Sequence, residues 1–97
     1  MNEKRILKRA VDSFGLENQI NMLVEECSEL IDAISKHKRN RVGMESVIEE
    51  MADVEIMIDQ IKIYCKLIKE TSNMREEKLE RLLKKIEKGD GNFESND

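Results

Sequence analysis

Four carboxylates, Glu26, Glu29, Glu50 and Asp53, have the type and spacing to do chemistry in this 97-residue chain. Each pair is spaced i, i+3, which on a helix puts both acids on one face with Cβ atoms about 5–6 Å apart. At about 100° per residue, Met22, Glu26, Glu29 and Ala33 share a stripe, and Glu50, Asp53, Met57 and Tyr64 share another. Both acid pairs thus sit on rows that are otherwise apolar. Carboxylates on half-buried rows are costly unless something positive meets them. If the two rows lie on neighbouring helices, four carboxylates converge and repel. A divalent cation relieves that repulsion, and hard oxygen donors select Mg²⁺ or Mn²⁺ over zinc. The competing account is a solvated, salt-bridged face. In a chain with 15 glutamates such spacings also arise by chance, as at Glu29-x-x-Asp32 and Glu77-x-x-Glu80. A di-iron carboxylate bundle needs Glu-x-x-His on two helices, and the single histidine, His37, is not preceded by such a glutamate.

The elements that must position these acids are helices. The chain is poor in Val, Thr and aromatics and rich in Ile, Leu, Met, Glu and Lys, which disfavours sheet and favours helix. Periodicity predicts helices over residues 4–14, 17–37, 45–69 and 74–88. Gly15 and Gly89 suit helix stops. Ser46 with Glu49 predicts a capping box for the third helix, and Thr71-Ser72-Asn73 a cap for the fourth. Phe14 is expected in the core. Val47, Met51, Val54, Ile58, Ile61, Cys65 and Ile68 alternate steps of 4 and 3, a heptad seam. A second row, Ala52, Ile56, Ile63 and Leu67, lies on the other side of the same helix. A helix apolar on two sides is buried on two sides, and a chain this short has too little volume to cover both. The expected architecture is all-α. A four-helix bundle-like subunit spans residues 1–88, is completed by homo-oligomerisation as a dimer or tetramer, and carries a disordered polar tail over 89–97.

Composition excludes several classes. With 21 acidic against 17 basic residues and a net charge of -4, the chain lacks the basic face that nucleic acid or an anionic membrane surface requires. No stretch approaches the roughly 18 apolar residues of a spanning helix, and no apolar segment follows the charged start as in a signal peptide. Cys27 and Cys65 lie within apolar helical patterns and are expected as reduced thiols in a cytoplasmic protein.

The motif as a whole, Glu25-Glu26-x-x-Glu29 (EECSE), 20 further residues, then Glu50-x-x-Asp53 (EMAD), resembles the EExxE…ExxD signature of the all-α nucleoside triphosphate pyrophosphohydrolases. That superfamily includes the MazG-like proteins and the dimeric dUTPases. Glu17-Asn18-Gln19 before the motif and MREEKLERLLKKIEKG after it fit the short, single-domain MazG-like type. The resemblance implies Mg²⁺-assisted hydrolysis of a nucleoside triphosphate to monophosphate and pyrophosphate, by attack at the α-phosphorus. By position, Glu26, Glu29, Glu50 and Asp53 match its metal ligands. Glu25 matches the first glutamate, with a role in orienting a ligand or the attacking water. Asn18 and Gln19 match a polar position that contacts base or sugar. Basic residues in a comparable closing segment make Lys78 and Arg81 phosphate candidates, and Lys36 continues the Glu29–Ala33 row as a further one. Tyr64 is too far along its helix from Asp53 to reach a base at the same site, and the scarcity of aromatics leaves the base preference open. The alternative from another class is a non-catalytic helical-bundle interaction module, or a family member that has lost activity.

Overall fold

A computed structural model describes residues 1–89 as four helices, α1 (Glu3–Phe14), α2 (Leu16–Lys38), α3 (Met44–Tyr64) and α4 (Ile68–Glu87), with no strand among the described residues. The all-α expectation therefore holds. The tail expected to be disordered lies, beyond Gly89, outside the described residues. The chain divides into two compact units, Met1–Leu67 with α1 to α3, and a second from Ile68 with α4. No helix of the described residues is long and apolar enough to cross a membrane.

Local chemistry sets the helix ends of the first unit. The Asn2 side chain accepts from the Arg5 N–H at 3.0 Å and starts α1. Gly15 ends α1 and begins α2 with φ 91°, its N–H donating to Val11 O at 2.8 Å. A side chain at that φ is strained, so glycine suits the junction. At the end of α2, Asn40 takes φ 59° and the Arg41 N–H reaches back to Lys36 O at 2.9 Å. This is a Schellman motif closed by asparagine. His37 Nδ1 lies 3.0 Å from Val42 O and steadies the same turn.

α2 and α3 pack as an antiparallel hairpin, with α1 laid mainly on α3. Leu7 and Val11 of α1, Ala33 of α2, and Val47 and Met57 of α3 form the buried apolar core. Two amides, Gln19 and Gln60, are buried with them.

Several expectations are corrected. The third helix stops at Tyr64 rather than continuing to residue 69. Lys66 adopts φ 57° and the Leu67 N–H bonds Lys62 O at 2.8 Å, a second Schellman motif with lysine where glycine is usual. Cys65 and Ile68 are therefore not on α3. The inward face is also turned from the expected seam. Val47 is buried and Val54 and Ile61 are half-buried, but Met51 and Ile58 are exposed, while Met57 is buried. On a helix apolar all round, heptad spacing finds the apolar rows but not which row meets which neighbour. Gly43, with no side-chain cap bond, precedes α3 in place of the expected capping box. Thr71, Ser72 and Asn73 lie inside α4, where Thr71 Oγ1 donates to Ile68 O at 3.1 Å. Phe14 is 61% exposed rather than core.

Among the described residues, the second unit consists of the 20-residue amphipathic helix α4, which has no buried residue. Leu79, Leu82, Leu83 and Ile86 form its exposed apolar stripe.

Candidate metal centre

The antiparallel packing of α2 and α3 brings the two acidic rows together. Carboxylate oxygens of Glu26, Glu29 and Glu50, one from each, all lie within 4.8 Å of one another. Glu26 and Glu50 are half-buried and Glu29 is exposed, so the cluster opens to solvent on one side. One oxygen of Glu26 and one of Glu50, Oε1 in each, is buried without a hydrogen-bond partner. Buried polar atoms are ordinarily paired, and two orphaned oxygens on residues of one acidic cluster are what a site for a positive group leaves when empty.

The electrostatics agree. Burial, followed by the negative charges of Glu29, Asp53 and Glu50, pushes the Glu26 carboxyl up to about 6. Burial, then the charges of Glu29 and Asp53, also raises Glu50 from its ordinary value. A site that holds protons against its own repulsion will exchange them for a cation. The donors are hard carboxylate oxygens without thiol or imidazole. That set fits a divalent ion of the Mg²⁺ or Mn²⁺ kind and not zinc.

The remaining expected site residues are placed differently. Asp53 is exposed and acts on Glu26 and Glu50 through its charge, but it is not one of the three whose oxygens converge. Glu25, beside Glu26 in sequence, is exposed. Lys36 Nζ pairs with Asp32 Oδ2 at 2.9 Å, one turn back on α2. Lys78 and Arg81 belong to the second unit, one turn apart on α4, where Arg81 reaches Glu77 at 3.9 Å. Asn18 Nδ2 donates to Phe14 O at 2.8 Å across the α1–α2 junction.

Gln19 is only 6% exposed, and its Nε2 donates to Gln60 Oε1 at 2.7 Å. Gln60 Nε2 in turn lies 3.5 Å from Met57 Sδ. Gln60 escaped sequence reasoning. Its signal was an uncharged polar residue seven positions after Asp53, on the row that also carries Met57.

The family model of the MazG nucleotide pyrophosphohydrolase domain matches residues 14–92, which takes in both acidic motifs and α2 to α4. No curated protein and no solved structure matches the chain. The family hydrolyses phosphoanhydride bonds of nucleotides and is in general dependent on a divalent metal, in keeping with the acidic cluster. A match over most of the chain, on the helices that build the cluster, settles its kinship: the protein belongs to the MazG nucleotide pyrophosphohydrolase family.

Proposed function

We propose that the protein is a Mg²⁺-dependent pyrophosphohydrolase that cleaves a nucleoside or deoxynucleoside triphosphate to monophosphate and pyrophosphate. The observation that carries this reading is the cluster of Glu26, Glu29 and Glu50 with its two orphaned buried oxygens. Glu26, Glu29 and Glu50 hold the cation, with Asp53, one turn beyond Glu50 on α3, as the fourth ligand. When bound, a divalent ion neutralises the carboxylates and the substrate's phosphate oxygens and polarises the phosphoryl group under attack. Glu25, exposed and next to Glu26 in sequence, orients the attacking water and accepts its proton. Lys36, Lys78 and Arg81 supply positive charge for the phosphates.

We further propose that the working form is a homo-oligomer, a dimer or tetramer. Ile20, Val24, Ile31 and Ile34 on α2 and Met44, Ile48 and Met51 on α3 expose apolar rows within the first unit. Such rows mark association surfaces. We also propose a cytoplasmic location and, from the net charge of -4, no nucleic-acid or membrane partner.

The test is incubation with each NTP and dNTP, in Mg²⁺ or in EDTA, with the products identified chromatographically. Monophosphate plus pyrophosphate only in Mg²⁺ is the expected result. No turnover on any nucleotide overturns the reading in favour of a non-catalytic helical module.

A further inference from the structure

We infer that the buried Gln19–Gln60 amide pair is a positioning device that locks α2 and α3 in the register on which the carboxylate cage depends. The inference rests on the metal-site reading above and concerns residues outside that site. It follows from counting along the two antiparallel helices. Seven residues forward from Gln19 on α2 is Glu26, and seven back from Gln60 on α3 is Asp53. Three more on each helix arrive at Glu29 and Glu50. The hydrogen-bonded amides and the facing carboxylates therefore obey one register, separated by about two turns, or roughly 10 Å, of helix.

The short turn between Lys38 and Met44, with its Schellman motif and the His37–Val42 contact, ties one end of the hairpin, but along the helices the apolar spacing does not enforce the register. Apolar residues recur every three or four positions on both helices, so a slide of one turn still finds apolar partners. A four-residue slide in one direction sets Glu26 against Met57 and Glu29 against Val54, while a three-residue slide in the other sets Glu29 against Val47 but leaves Glu26 facing Glu50. The first slide, about 6 Å, separates acids that now crowd one another, so without a cation the carboxylates favour slipping in that direction. The Gln19–Gln60 bond opposes this. At 2.7 Å, with both residues under 7% exposed, it is made in one register only. A slip leaves two buried amides unpaired, and buried polar groups fix helix register in this way.

The test uses the full chain and the near-isosteric variants Gln60→Met and Gln19→Met/Gln60→Met. Three quantities are read: Tm, nuclear Overhauser contacts between α2 and α3 around Glu26 and Glu50 in the metal-free protein, and affinity for Mn²⁺ alone. The single variant is expected to lower Tm, because it orphans Gln19. The double variant is expected to recover most of that loss while its inter-helix contacts change or double, and its Mn²⁺ affinity falls about tenfold or more. A merely structural pair would restore contacts and affinity together with Tm. Unchanged inter-helix contacts in the double variant overturn the inference. Failure of the wild-type chain to bind Mn²⁺ overturns the metal-site reading instead, and the metal-free contacts still decide the register.

Discussion

Glu26 on α2 and Glu50 on α3 each carry a buried, unpartnered carboxylate oxygen, and one carboxylate oxygen from each lies within 4.8 Å of the other and of one from Glu29. Two helices that could have met through apolar side chains alone instead meet here through like charges. This arrangement costs stability in the empty protein and returns it when a cation binds.

Metal binding should therefore stabilise the fold. With Mg²⁺ about tenfold above its Kd the gain is about 1.4 kcal/mol, several degrees of Tm for a domain of this size. Thermal unfolding in EDTA and in millimolar Mg²⁺ measures it. No upward shift at saturating Mg²⁺ contradicts the cage.

The pH dependence has a defined sign. Glu26 binds its proton more tightly folded, at about 6, than in the unfolded chain near 4.5. The folded state thus holds more protons between those values, and metal-free stability from this group falls as pH rises through that window. Glu50 is raised and acts in the same direction. In EDTA, Glu26→Gln should raise Tm at pH 7.5 and do little at pH 4.5. In Mg²⁺ the advantage should vanish, since the variant loses a ligand. Melting curves across pH, with and without metal, check both statements.

Single ligand substitutions should separate chemistry from folding. Glu50→Gln and Asp53→Asn should lower kcat/KM by at least the roughly 10–100-fold typical of losing a metal's outer-shell partners. The helical circular-dichroism spectrum should stay unchanged. Full Mg²⁺-dependent activity in either variant removes that residue from the metal assignment.

Gly15 tests the local account of the fold. Its φ of 91° serves as both the stop of α1 and the start of α2, and an added Cβ would meet no atom within 4 Å. Gly15→Ala should therefore cost about 1–3 kcal/mol from backbone strain alone, read by urea or thermal unfolding.

The apolar rows of α2 give a fifth expectation. Light scattering at micromolar concentration should report a dimer or tetramer, and Ile31→Glu, at a residue 68% exposed in the chain, should reduce it to monomer. A monomeric wild-type protein contradicts the proposed assembly.

Much of this was legible in the sequence for physical reasons. Acids at i, i+3 on apolar rows announced the faces that meet, and Gly15 announced the α1–α2 break. Glycine-based stop signals missed the end of α3, because Lys66 adopts the left-handed conformation that glycine usually fills. Heptad spacing found α3's apolar residues but not the Met57 face that turns inward, since Val47, Val54 and Ile61 belong to both candidate rows. The pairing of Gln19 with Gln60 was out of reach for a further reason. The residues are 41 positions apart, and their bond is a property of the α2–α3 register, which periodicity on each helix does not specify.

The most direct test of the central claim is hydrolysis of a nucleoside triphosphate in ¹⁸O-labelled water with Mg²⁺, followed by mass spectrometry of the products. The account predicts monophosphate and pyrophosphate, with the label in the monophosphate and no reaction in EDTA. Label in pyrophosphate or orthophosphate, or turnover that persists in EDTA, would contradict it.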